Sequence, residues 1–216
     1  MNFEEARTQM LGQQIRAWEV FDKRVLDVLG AIPRESFVPE SQRALAFADL
    51  EIPLAHDQKM MTPKVEGRLL QALDLNPTNN VLEIGTGSGF LTACLARLAK
   101  RVISVDIYES FSQDAKSKVG QLNISNVEFR TLDALQMDHQ KKFDAIAVTG
   151  SVPDRDDHFV RMLSPGGRLF IIEGRAPVME AQVATMHPNN QIDRESLFEI
   201  VVTPLVNAER PEPFVL

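Results

Sequence analysis

Three glycines and three carboxylates carry the chemistry available to this chain. Gly85, Gly87 and Gly89 alternate in VLEIGTGSGF (81–90), directly after the apolar run Val81-Leu82-Glu83-Ile84. A helical pattern, Phe90 to Ala99, follows at once. This is the signature of a buried strand, a tight turn and a helix. Glycine reaches positive φ and lets a ligand approach the backbone closely, and the helix beyond presents unpaired N–H groups. Asp106 ends the next apolar run, 17 residues after Gly89. An acid about 20 residues past such a turn accepts hydrogen bonds from both ribose hydroxyls; the alternative is a solvated strand-end aspartate or a helix N-cap. Asp133 ends the third run, where it either accepts from an adenine amine or serves ordinary turn chemistry. Glu83 is either an anchor for a cationic amino group or a half-buried carboxylate.

The spacing excludes two common nucleotide sites. It is not the G-x-G-x-x-G of nicotinamide enzymes, and no Gly-Lys-Ser/Thr follows to make a P-loop. No basic residues gather to cradle a phosphate. Carboxylates around a ligand with ribose, adenine and positive charge fit S-adenosyl-L-methionine better than an anionic dinucleotide.

The elements that position these groups follow a simple rhythm. Helical patterns over Asn2–Trp18, Lys23–Gly30 (with Asp22 as N-cap), Arg43–Ala48 and Val65–Leu73 form an N-terminal layer. Pro53 to Pro63, PLAHDQKMMTP, reads as irregular. Strands and helices then alternate: strands at 81–84, 102–106, 127–133, 143–149 and 168–173, and helices at 109–122 and 156–163. That order predicts a Rossmann-like, doubly wound α/β fold with a mostly parallel sheet. Ala181–Met186 and Leu197–Thr203, separated by Pro188-Asn189-Asn190, predict closing antiparallel strands. Residues 1–79 form a helical layer with a substrate loop, and 80–216 form the cofactor-binding core of one compact domain.

Composition narrows the class further. The chain has 216 residues, 44% hydrophobic and 25% charged, as a globular domain of ordinary size should. A net charge of −7 argues against nucleic acid as a partner. The acidic amphipathic start carries no apolar signal core, and no apolar run approaches a membrane span, so the reading is a cytoplasmic protein with no membrane contact. The single cysteine, Cys94, reads as a small core residue. His139, His158 and His187 lack metal-ligand spacing, so no metal is expected.

Residues 81–89 match the glycine motif of class I S-adenosylmethionine-dependent methyltransferases. Gln13-Gln14-Ile15-Arg16, Pro33-Arg34-Glu35-Ser36-Phe37-Val38-Pro39, Ala46-Phe47-Ala48-Asp49, FDAIAVT and Leu163-Ser164-Pro165-Gly166-Gly167-Arg168-Leu169 extend the likeness over about 9–174. Together they resemble the protein-L-isoaspartate (D-aspartate) O-methyltransferase family. The resemblance implies seven strands, the last ones antiparallel. It implies cofactor contacts from Glu83, Gly85, Thr86, Gly87, Ser88 and Gly89, with Asp106 and Ile107 at ribose, Asp133 and Ala134 near adenine, and Thr149 on strand four. It implies carboxyl methylation of L-isoaspartyl residues in peptide or protein substrates, releasing S-adenosyl-L-homocysteine, by a monomer or weak homo-oligomer.

The substrate loop departs from that family. Its pattern runs roughly Pro-Ile-Gly-x-Gly-Gln-Thr-Ile-Ser-x-Pro, and here both glycines are replaced, by Ala55 and Asp57, and the serine by Met61. A thioether cannot donate the hydroxyl's hydrogen bond. Thr62 supplies a hydroxyl one position on, as a candidate catalytic residue, or it is only a helix cap before Pro63. His56, Gln58, Met60 and Met61 are the candidate acceptor contacts, with a solvated His56 and simple loop packing for Met60-Met61 as alternatives. A lineage member with another carboxylate or small-molecule acceptor, and a non-catalytic S-adenosylmethionine-binding protein, are the rival readings.

Overall fold

The computed structural model describes residues 2–155 and 157–208. The first helical pattern winds continuously from 3 to 18 but changes pitch: α1 (Phe3–Gln9), a π-helical turn Met10–Ile15, then a 3-10 turn Arg16–Trp18. The π turn buries both Met10 and Ile15. Asp22 caps α2 (Lys23–Ala31) by accepting from the Arg24 N–H, and Val25 and Leu29, one turn apart, face the core. The helix expected at 43–48 is instead a 3-10 run, Glu40–Leu45. The carbonyls of Ala46 and Phe47 accept from the side chains of Arg34 and Gln14 rather than from a following helical turn.

The stretch read as irregular folds into a small antiparallel hairpin, β1 (Ile52–Pro53) against β2 (Lys59–Met60). It turns through His56 and Asp57, both at φ near +55°. α3 (Pro63–Leu73) follows, with proline at a position where its missing N–H has no partner to lose.

The sheet is built from β3 (Asn80–Ile84), β4 (Arg101–Asp106), β5 (Val127–Thr131), β6 (Phe143–Val152), β7 (Leu163–Arg175), β8 (Val178–Met186) and β9 (Ile192–Glu199), with helices α4 (Phe90–Leu98) and α5 (Glu109–Gln121). Its order is β5-β4-β3-β6-β7-β8-β9, parallel through β7 and antiparallel beyond. This is the doubly wound seven-stranded sheet, with antiparallel closing strands and N-terminal helices, that was expected. Alternation along each strand feeds two cores. Val81 and Val102 pack under the helices, while Leu82 and Ile103 pack against the opposite side. Cys94 is fully buried in α4, and burial pushes its thiol upward.

Two boundaries are corrected. No helix spans 156–163; only a 3-10 turn, Val160–Met162, lies there, and Asp156 falls outside the described residues. The last strand ends at Glu199 rather than running through 197–203. Residues beyond it turn back, and Pro204 bridges to Ser151 at the end of β6. Among the described residues, no helix is long and apolar enough to cross a membrane.

Candidate active site

The strand order reverses between β3 and β6, and such a reversal opens a crevice at the carboxyl ends of the strands. A cleft of about 820 Å³, counted out to open solvent, lies there. Its rear wall is the glycine turn. Gly85 sits at φ +91°, and a Cβ on it would lie 2.1 Å from Thr149 Oγ1. That hydroxyl donates toward the carbonyls of Ile84 and Gly85 at 2.9 and 3.0 Å, tying the turn to β6. Gly87 also faces the cleft.

Asp106 completes this wall. It is 7% exposed, and each oxygen accepts a backbone N–H at 3.0 Å, from Gly87 and from Tyr108. Burial raises its pKa, while the N–H groups of Gly87 and Tyr108 pull the other way. A carboxylate has about four acceptor positions, so each oxygen keeps capacity for a ligand hydroxyl. Ile107, Asp133, Ala134 and Thr149 line the cleft too. Asp133 also performs turn chemistry, accepting from the Leu135 N–H at 3.0 Å and from Asn207 Nδ2 at 3.1 Å.

Four residues of the motif region stand away from the cleft. Glu83 is fully buried and faces α4 instead of the crevice: its Oε2 accepts from Thr92 Oγ1 at 2.5 Å and Ser104 Oγ at 2.6 Å. Its Oε1 has no hydrogen-bond partner. Desolvation raises its pKa to about 8 despite the two hydroxyl donors, because a buried carboxyl with an unpaired oxygen is cheaper neutral than charged. Thr86 is buried against Ser104, at 2.6 Å between hydroxyls. Ser88 accepts from the Phe90 N–H at the start of α4. Gly89, at φ +84°, serves helix packing: a Cβ there would lie 2.6 Å from that of Ala115 on α5.

The front wall comes from two distant segments. One is the hairpin, which contributes Leu54, Gln58 and Lys59, with Met61 just after it. The other is 202–206, held by hydrogen bonds between Ser151 and both Thr203 and Leu205. Sequence reading missed this second segment. Its one signal is Gly150 before Ser151, since a Cβ at 150 would lie 2.8 Å from Leu205 Cδ2. Tyr108 was missed as well.

Of the expected acceptor contacts, Gln58 and Met61 line the cleft; His56, Met60 and Thr62 do not. His56 stacks flat on Tyr108, with centroids 4.0 Å apart, and meets Ser110 Oγ at 3.0 Å. It clamps the hairpin to the start of α5. Met60 is buried beneath the hairpin. Thr62 occupies the N-cap of α3 without a side-chain cap bond, and its Oγ1 is buried without a partner. The loop is anchored from below by Arg34, fully buried and ion-paired with Glu66. Arg34 donates to the carbonyls of Ala46 at 2.8 Å and Met61 at 2.7 Å and lies over the Phe90 ring. Burial pushes Glu66 up to about 7, opposed by the guanidinium.

The cleft has an acidic balance. Glu51, Asp106 and Asp133 line it, and among its described lining residues Lys59 is the one cation. Such a wall suits hydroxyls, an amine and positive charge, and offers no cluster for phosphates. Among the described residues, no group of three His, Cys, Asp or Glu side chains could hold a metal.

Comparison with known proteins identifies the family. The family model described as Protein-L-isoaspartate(D-aspartate) O-methyltransferase matches residues 5–210. Protein-L-isoaspartate O-methyltransferase 2 of Nitrosococcus oceani is 33% identical over 188 residues, 87% of this chain and 86% of that one. Protein-L-isoaspartate O-methyltransferase of Yersinia pestis is 34% identical over 204 residues, 94% of this chain and 97% of the other. A Plasmodium falciparum structure, described as a beta-aspartate methyltransferase in complex with S-adenosyl-L-homocysteine, superposes with a TM-score of 0.80 at 19% identity. It covers 95% of this chain and 98% of that one, and the likeness speaks for the fold. With a family match over nearly its whole length and relatives above 30% identity, the chain belongs to the protein-L-isoaspartate (D-aspartate) O-methyltransferase family.

Proposed function

We propose that this protein transfers the methyl group of S-adenosyl-L-methionine to the free carboxylate of L-isoaspartyl and D-aspartyl residues in damaged peptides and proteins. The observation that carries the reading is the acidic cleft at the β3/β6 reversal, in a chain of this family. Buried Asp106, presented by two backbone N–H groups with acceptor capacity to spare, suits a ribose diol. Asp133 and Ala134 suit an adenine edge, and Gly85 and Gly87 present main chain to the cleft. A cytoplasmic location and a monomer or weak homo-oligomer stay part of this proposal.

The bound cofactor would supply an electrophilic methyl group on a sulfonium. The acceptor carboxylate is ionised near neutral pH, so no general base is required of the chain. Its residues align the carboxylate with the methyl group and exclude water. The hairpin and the 202–206 segment close the cleft from both sides. Leu54 lies over the turn, 3.5 Å from where a Cβ of Gly87 would be.

A second reading, a smaller carboxylate acceptor, is favoured by one feature: the thioether of Met61 lines the cleft where the family pattern carries a hydroxyl. One experiment separates them. Purified protein with labelled cofactor should methylate an isoaspartyl peptide and leave its aspartyl isomer untouched. Cofactor binding without transfer to that peptide would reject the first reading.

A further inference from the structure

We propose that Lys59 is the residue that recognises the acceptor carboxylate, with Glu51 occupying that place until substrate arrives. The inference rests on the function proposed above and assigns a specificity residue to it. The negative acceptor must enter a cleft whose other charged lining residues, Glu51, Asp106 and Asp133, repel it. Two hydroxyls near the loop do not offset that repulsion: Thr62 Oγ1 is buried off the cleft, and that of Thr149 is committed to the carbonyls of the glycine turn. Tyr108 and Thr203 bring neutral hydroxyls to the lining, and among the described lining residues only Lys59 brings positive charge. Its ammonium lies 2.7 Å from Glu51 Oε2, with the lysine side chain 51% and the glutamate 28% exposed.

The pair is placed where an exchange can occur. Lys59 stands at the start of β2, opposite Pro53 of β1. The hairpin is fixed below by Arg34 on the Met61 carbonyl and at its tip by His56 on Tyr108. The ammonium is therefore presented on a held frame, while its partner is a solvent-reached carboxylate. A half-exposed ion pair is worth only about 0–1 kcal/mol, so an incoming carboxylate can replace Glu51 at little cost.

The charge balance fixes the kinetic consequence. The carboxylate oxygen forms a bond to the methyl carbon as the methyl–sulfur bond breaks with its electron pair left on sulfur. The acceptor changes from an anion to a neutral ester. Lys59 thus binds the ground state at least as strongly as the transition state and releases the product. Its removal acts on KM, not kcat.

The test compares Lys59→Met, Lys59→Arg and Glu51→Gln on an isoaspartyl peptide and on the same peptide with an α-carboxamide. Lys59→Met should raise KM at least fivefold with kcat retained, and Lys59→Arg should restore most of the loss. Glu51→Gln should lower KM, because it frees the ammonium. If Lys59→Met and Glu51→Gln both raise KM and both weaken S-adenosyl-L-homocysteine binding, the pair only braces the hairpin and the proposal fails. An unchanged KM in Lys59→Met also overturns it. Should wild-type protein methylate neither peptide, the proposed function falls. The Lys59 assignment is then decided by calorimetric titration of both peptides into the S-adenosyl-L-homocysteine complex. A carboxylate preference lost in Lys59→Met supports it, and equal binding of the two peptides rejects it.

Discussion

The rear and front walls of the cleft are made on different plans. At the rear, the glycine turn after β3 is held between β4 and β6 by hydrogen bonds that each end on its own backbone: the Gly85 N–H donates to the Val105 carbonyl, the Gly87 N–H donates to Asp106, and Thr149 Oγ1 donates to the carbonyls of Ile84 and Gly85. At the front, a short hairpin and a segment some 145 residues later line the opening separately, the hairpin clamped by His56 on Tyr108 and the later segment by a β-bridge from Pro204 to Ser151. Backbone geometry tolerates few residue types, whereas side-chain clamps can be rebuilt with others. The rear wall accordingly keeps its motif, and the front wall is where Met61, Asp57 and Lys59 depart from the family pattern. Substitutions should therefore act strongly and on cofactor at the rear, weakly and on acceptor at the front.

The largest effect is expected at Gly85. Gly85→Ala puts a methyl group into Thr149 Oγ1 at positive φ, and should lower stability by about 3 kcal/mol and abolish cofactor binding. Combining it with Thr149→Ala should recover part of the stability by removing the clash while leaving the strained φ. Full recovery in thermal melts would show that backbone geometry is not what constrains the rear wall.

Next is Asp106→Ala, which should weaken S-adenosyl-L-homocysteine binding by about 1–3 kcal/mol through loss of a charged acceptor. Calorimetry giving wild-type affinity would remove the ribose role from Asp106.

Glu83 tests the layer beneath the rear wall. Its folded pKa, about 8, stands above its unfolded value of 4.5. Between those values the folded state holds a proton that the unfolded state has lost. Stability is therefore full below about pH 4.5, falls as pH rises toward 8, and levels off beyond. The slope is at most roughly 1.4 kcal/mol per pH unit. Glu83→Gln stays neutral throughout and should flatten this part of the profile, leaving the decline from Glu66 and the other carboxyl raised by burial, Asp106. Denaturant melts at pH 5, 7 and 9 with an undiminished slope would show that Glu83 is charged in the fold.

The smallest effect is expected at Thr62. Its hydroxyl is buried without a partner, so Thr62→Ala should change stability by less than about 0.5 kcal/mol and leave turnover near wild type. A tenfold loss of kcat would return the catalytic role to this hydroxyl and break the contrast between the walls.

How much of this was legible beforehand differs by wall for the same reason. The glycine turn, the strand rhythm and Asp106 are local: a period of two, a positive-φ requirement and a strand end all fit within twenty-odd residues. Glu83 was visible but not its direction. In a strand buried on both faces, alternation does not say which face carries the charge, and only the register with Ser104 and the approach of Thr92 turn it toward α4. The 3-10 run at Glu40–Leu45 was hidden because the carbonyls just past it are claimed by Arg34 and Gln14, from residues 12 and 33 positions away.

By itself, then, the sequence determined the sheet, its winding and the place of the glycine turn and Asp106 at the strand ends, because these follow from short-range periodicity and backbone conformation. Tertiary structure alone decided that 202–206 closes the cleft, that His56 is a clamp, that Thr62 is turned away and that Lys59 and Glu51 share its mouth. Each of these depends on which distant segments come into contact, and pairing between distant segments leaves no periodic trace along the chain.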